Sequence, residues 1–327
     1  PSVLFPVLFV GVFLIHGILT WAAILQQLPA VRDADVLVVP HMGDTAVLLV
    51  KPLSLILDTP LIYFSHNGLY FPHVRNQQLH APGSLGARLL FGLDWLMHRL
   101  ADRVIVFSAA SGTLFSDTFD VPAEQYEVIY IAVTESKFNT ATSASELSAP
   151  DVLYWGNFLP HHGVGTMIEA AAALPETEFM FIGDSEHRSA VIEYAERLGA
   201  TNIEFPGFVS FPALVWAITE SDVVLGPMGD NPQTEFTVGT KVAEAAYLQK
   251  AIVVADQPGI REVFADRMDA SLVSPGSTDG LVEAIEEILS DDELKHRLER
   301  GAAETYEAHF SQDVAVDRFL SVAEELT

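Results

Sequence analysis

The sequence predicts an α/β protein of two domains, each a doubly wound parallel sheet, and three observations predict it. The chain has 327 residues, about twice the usual length of one domain. Half of its residues are hydrophobic, enough to bury two large cores. Short runs that are apolar throughout alternate with segments of helical spacing, the pattern of strands covered on both faces by crossover helices. In chain order, "DVLVVPH" (Asp35–His41) is a buried strand ending at a turn, and "TAVLLVKPLSLIL" continues as a helix. "TPLIYFSHNG" (Thr59–Gly68) is the next strand, closed by Asn67-Gly68, and Phe71–Gly86 has no period and reads as a loop. "LGARLLFGLDWLMHRLAD" has helical spacing and leads into the strand "RVIVFSAAS", whose Ser108 starts the next helix. "YEVIYIAV" is a further strand, and the small polar stretch Thr140–Pro150 is the linker.

The second half is more regular. Strands fall at "DVLYWG", "EFMFIGD", "NIEFPG", "DVVLGP" and "AIVVAD", with a shorter one at "ASLVSP". Helices lie between them at Val164–Leu174, His187–Leu198, Phe211–Thr219, Thr240–Leu248 and Thr278–Leu289, and the carboxyl end is two helices broken near Phe310-Ser311. The expected organisation is a domain over residues 1–140, a second over 151–310, facing it across a cleft, and a carboxyl-terminal helix over 311–327.

Charge narrows the functional classes. The net charge is −27, with 44 acidic residues against 17 basic ones. Nucleic acid is not an expected partner, because a phosphate backbone needs a basic face. The composition resembles that of proteins from salt-loving archaea, in which carboxylates keep the surface hydrated. With no cysteine, disulfides and thiolate metal sites are excluded, and a cytoplasmic setting is expected. Pro1–Val31 contains no Asp, Glu, Lys or Arg, and three readings fit it: a helix buried on a sheet face, a helix lying on a membrane surface, or a span. The first is preferred, because Pro6, Gly11 and Gly17 make a poor spanning helix.

In open parallel sheets ligands bind beyond the carboxyl ends of the strands, next to helix amino termini. Four loops of the second half qualify. "GNFLPHHG" holds Gly156, Asn157, His161 and His162, the next two contain Gly183 and Gly207, and the fourth ends in "TVGTK". There Gly239 and Thr240 open a helix with free N–H groups and a hydroxyl suited to a phosphate. Lys241 follows, and Glu244, three residues on, shares its helix face and suits the diol of a ribose. The pair reads equally as a surface ion pair. His161 and His162 are neighbours, and adjacent side chains rarely converge on one ion, so no metal site is expected. Ser108, His66 and an Asp do not make a hydrolytic triad here, since the sequence lacks a nucleophile-elbow motif.

These loops together resemble the carboxyl-terminal domain of the family-4 (group 1) glycosyltransferases, retaining enzymes of the GT-B fold. The resemblance runs over about Asp151–Ser311. "VLYWGNFLPHHGVGTMIEAA" is similar to the family's "fvGrlvpeKGvdtlieA", and "FMFIGD", "KVAEAAYLQKAIVVAD" and "GIREVF" follow at the family's spacing. In the amino half, "FSHNG" and "EVIYIAVTESKF" look like family segments, while the family's opening strand and glycine-rich loop have no counterpart. The resemblance implies a nucleotide-diphosphate sugar as donor, a glycan or lipid-linked acceptor, and no metal or other cofactor. By the same resemblance Glu244 bonds the ribose, His66 reaches the donor sugar, and Lys241 with Gly239 and Thr240 steadies the leaving diphosphate. The family's first glutamate falls on Phe236, leaving Glu235 one step away as its substitute, and the family's basic pair falls on Asn157 and His162. His162 is therefore expected to take the place of the missing lysine, with His161 turned away; the alternative is that both histidines only cap the helix at Gly163. A sugar transferase is the expected function, with contact to a membrane surface through residues 1–31 as one reading of that segment; a sugar-nucleotide epimerase and a non-catalytic sugar-nucleotide-binding subunit are the alternatives.

Overall fold

A computed structural model of the chain describes residues 19, 21–22, 26–41, 45–76, 78–138, 147–159, 162–231 and 234–327. It divides into two compact units, Pro1–Ile129 together with Asp317–Thr327, and Tyr130–Val316. The boundary near the carboxyl end runs through the last helix, between Val316 and Asp317. Most of Pro1–Val31 and residues 139–146 of the expected linker lie outside the described residues. Among the described residues no helix is long and apolar enough to cross a membrane.

The first unit holds α1 (Leu28–Arg32), β1 (Leu37–Val39), α2 (Ala46–Leu57), β2 (Leu61–Phe64), α3 (Leu85–Leu100), β3 (Arg103–Val106), α4 (Ala109–Phe119) and β4 (Tyr126–Val128). Its four strands are parallel in the order β1-β2-β3-β4. Val104, Val106, Tyr63, Phe115 and Phe119 fill the core beneath the helices. Ser108 caps α4 as expected, its hydroxyl accepting from the Ser111 N–H at 3.0 Å. Two expectations are corrected. Phe71–Gly86 is not all loop: Phe71–Asn76 is a turn of π-helix. Asp94, fully buried on α3, accepts the N–H groups of Leu69 and Tyr70 and so fixes its entry. The strand "YEVIYIAV" is only Tyr126–Val128, because its partner β3 ends at Val106, whose carbonyl takes the last N–H, that of Ile129.

The second unit holds β5 (Val152–Trp155), α5 (Val164–Ala173), β6 (Phe179–Ile182), α6 (Arg188–Leu198), β7 (Ile203–Gly207), α7 (Phe211–Glu220), β8 (Val223–Leu225), α8 (Thr240–Tyr247), β9 (Ala251–Ala255), α9 (Pro258–Arg261), β10 (Ser271–Val273), α10 (Thr278–Ser290), α11 (Asp292–Thr305) and the start of α12 (Gln312–Glu324), whose remainder belongs to the first unit. All six strands are parallel, in the order β10-β9-β8-β5-β6-β7. Every residue of β5, β6, β8 and β9 is buried, which is why those runs are apolar without alternation. The expected break at Ser311 stands between a turn of π-helix, Tyr306–Phe310, and α12.

Candidate functional site

The strand order places the site. The chain leaves β5 for β6 and β7 on one side, then returns to the other side of β5 with β8. The loops after β5 and β8 therefore depart in opposite directions, and the space between them at the carboxyl edge is where a parallel sheet binds its ligand. The loop after β5 opens at Gly156, and the loop after β8 ends at Gly239, the residue just before α8.

Gly156 has φ +119°, which L side chains rarely adopt, and a Cβ there would stand 2.8 Å from Lys241 Nζ. Lys241, from the first turn of α8, thus lies directly over the first glycine of the β5 loop. Its ammonium donates to the Tyr154 hydroxyl at 3.2 Å and sits 4.5 Å from the centre of the Tyr154 ring. Burial lowers the Lys241 pKa to about 8, against the pull of Glu244. Tyr154 in turn donates to the Asn157 carbonyl at 2.9 Å, and burial holds its hydroxyl protonated far above the usual range. His162 Nδ1 lies 2.9 Å from that carbonyl, 2.8 Å from the Tyr154 oxygen and 3.5 Å from Lys241 Nζ. One ring nitrogen of His162 is thus committed to the loop's own framework. His161 lies outside the described residues.

Glu244 is one turn along α8 from Lys241. Burial raises its carboxyl pKa, opposed by the hydrogen bond from Trp155 Nε1 at 3.4 Å and by Lys137 and Lys241. Gly183 follows β6 with φ +141°, and the place of its missing Cβ is 2.1 Å from the Gly156 carbonyl oxygen. The backbone that needs room there is that of the neighbouring loop. Gly207 ends β7, and its carbonyl accepts the Gly183 N–H at 3.0 Å. Gly239 precedes α8 with no side-chain cap, so the first N–H groups of the helix have no acceptor within it. Thr240 is exposed beside them. Glu235 is exposed, and among the described residues no hydrogen bond or ion pair joins its carboxylate to Lys241 or Glu244. Phe236, eight positions before Glu244, is buried. Among the described residues no group of three or more His, Cys, Asp and Glu side chains comes together that could hold a metal ion.

In the first unit His66 follows β2, between His41 after β1 and Phe107 after β3, with ring centres at 5.0 and 4.8 Å. Burial, helped by His41, lowers its pKa to about 4, and its buried Nδ1 has no partner among the described residues. It is a neutral imidazole at pH 7. Beneath it, Ser65 Oγ lies 3.0 Å from His98 Nε2, and His98 Nδ1 lies 2.9 Å from the Tyr126 hydroxyl.

The sequence reading missed Tyr154, Trp155 and His41. The signal for the first two was present: in "VLYWG" two aromatics with polar atoms end a strand that is otherwise aliphatic.

Residues 136–305, half of the chain, match the family described as glycosyl transferases group 1. The chain belongs to this family. It is 27% identical over 193 residues to the lipopolysaccharide core biosynthesis glycosyltransferase LpsE of Rhizobium meliloti, a match over 59% of this chain and 53% of that one. The chain thus spans about half the length of that relative. Alpha-D-kanosaminyltransferase of Streptomyces kanamyceticus is 25% identical over 296 residues, 84% of this chain and 72% of that one. Among solved structures, that of Anabaena Alr3699/HepE in complex with UDP superposes with a TM-score of 0.70 at 22% identity, over 93% of this chain and 81% of that one. The fold is accordingly GT-B, two parallel-sheet α/β domains.

Proposed function

We propose that the chain is a retaining glycosyltransferase that moves a sugar from a nucleotide-diphosphate donor to a glycan or lipid-linked acceptor. The observation that carries this reading is the placement of Lys241 over Gly156 at the switch point of the second sheet, with Glu244 one helical turn away. In the proposed mechanism the diphosphate lies along the start of α8, against Lys241 and the N–H groups at Thr240. As the bond between the sugar and the diphosphate breaks, charge grows on the leaving oxygen where the ammonium and helix end already stand. The acceptor oxygen bonds to the sugar carbon on the face the diphosphate leaves, and its proton passes to the departing phosphate. Glu244 binds the ribose diol, and His66, neutral at pH 7, is the first-unit residue that the resemblance assigns to the donor sugar. Glu235 would take the first glutamate's part only if donor binding turned its exposed side chain inward.

The UDP complex of the Anabaena protein and the sugar-transfer names of the two relatives support the donor class. The site as proposed uses no metal, so EDTA should leave activity unchanged. A cytoplasmic setting and the reading of the acidic surface as a salt adaptation belong to the same proposal. The test is incubation with a panel of UDP-, GDP- and ADP-sugars and mixed acceptors, with the anomeric configuration of the product read by NMR. A product of inverted configuration, or nucleotide binding with no transfer, would overturn the reading.

A further inference from the structure

We propose that the outward face of α3, in the first unit, docks on an anionic lipid surface. Helical spacing puts its exposed residues Leu85, Arg88, Leu89, Trp95, Leu96 and Arg99 within an arc of about 120°. Leu85 is 76% exposed, and Leu89, Trp95 and Leu96 are each more than a third exposed. Apolar side chains gathered on one face in this way mark an interaction surface. The helix is about 24 Å long and lacks the length to span a bilayer, but it suits the interface.

The charge on this face decides between occupants. It carries two guanidiniums and no carboxylate, for the helix's one acid, Asp94, points inward and is fully buried. Arg88 is exposed and has no carboxylate partner among the described residues. Arg99 lies 5.1 Å over the Trp95 ring and reaches the exposed Asp120 at 3.1 Å. A second copy of this chain, docked face to face, would set guanidinium against guanidinium. The wider charge distribution agrees with a lipid. Residues 1–100 contain five basic and five acidic residues, whereas residues 101–327 contain twelve and thirty-nine, so the whole net charge of −27 lies outside the segment that bears α3. Anionic headgroups would pair with Arg88 and Arg99 while Trp95 and the leucines enter the headgroup boundary.

Cosedimentation of the full chain with vesicles of phosphatidylcholine, with and without phosphatidylglycerol, tests this. The protein should bind the mixed vesicles, more weakly as salt rises, and the neutral ones little. The combined Leu85→Gln, Leu89→Gln and Leu96→Gln changes, all at exposed positions, should weaken binding roughly tenfold or more. Arg88→Gln should weaken it roughly fivefold, and brominated lipid should quench fluorescence that Trp95→Phe removes. Binding that survives all these changes would place the contact elsewhere, in residues 1–31 for instance, and would overturn the proposal. So would a chain that ignores both vesicles, or a dimer that these changes dissociate without any lipid binding.

Discussion

The two sheets differ in how their strands follow one another, and the difference explains what each carboxyl edge carries. The six-stranded sheet doubles back at β5 and β8, whereas the four-stranded sheet runs in sequence order among the described strands. At the switch point two loops part, and a lysine from one meets the first glycine of the other. In the sequential sheet the turns after β1, β2 and β3 leave side by side, and their residues crowd into the ring cluster of His41, His66 and Phe107. One edge holds the ammonium of Lys241 over a glycine, and the other holds the neutral imidazole of His66.

Substitutions and pH should separate the edges. The largest effect is expected at Gly183→Ala. The added Cβ would fall on the Gly156 carbonyl with φ at +141°, a cost of roughly 3–5 kcal/mol. Urea titration should show the second unit strongly destabilised. Next comes acid. Burial lowers the pKa of His66 to about 4 and that of His98 to about 3. The unfolded chain therefore binds more protons than the folded one below the reference pKa near 6.5, and stability is lost as pH falls from there toward 4. The loss should reach a few kcal/mol at pH 4.5, and denaturation at pH 7 and 4.5 should show that His66→Phe recovers part of it. If the variant matched the native loss, the histidine edge would not be what makes the first unit acid-sensitive.

Smaller effects follow at the second edge. Glu244→Ala should weaken nucleotide-diphosphate binding by roughly 1–3 kcal/mol, the cost of an unmatched ribose diol. Calorimetry checks it, and unchanged affinity in a folded protein would remove Glu244 from the site. The smallest effect is general. Carboxylates repel over a Debye length of about 30 Å in dilute buffer and about 3 Å in molar salt, so the melting temperature should rise by several degrees between the two. Equal melting temperatures would mean that the acidity is no salt adaptation.

Much of this architecture was legible in the sequence. The strands and helices of the second unit fall within a residue or two of their expected places, because each buried run lies between polar turns. The switch point was not legible: "DVVLGP" reads the same whichever side of β5 it joins, and its pairing with β5 links Val152 to Val223, far apart in the chain. The Lys241–Gly156 contact was hidden for a related reason, since local spacing says nothing about residues 85 positions apart. The early end of β4 depends on the length of its neighbour β3, which no pattern within "YEVIYIAV" records.

The central claim is that Lys241 grips the diphosphate, although the family's basic pair would have stood at Asn157 and His162. It is tested most directly by measuring UDP and GDP affinity from about pH 6.5 to about 9.5, on either side of the lowered Lys241 pKa of about 8 and below the reference lysine value of about 10.4, for the native chain, Lys241→Met and His162→Ala. Burial leaves Lys241 half-protonated near pH 8 without ligand. Binding must then take up a proton above that pH, and the native affinity should fall as pH rises through 8, by up to tenfold per unit. His162→Ala should keep that fall, and Lys241→Met should bind at least roughly tenfold more weakly at pH 7 with a flat profile across it. A Lys241→Met chain that binds like the native one, or a pH dependence that disappears with His162 instead, would contradict the account.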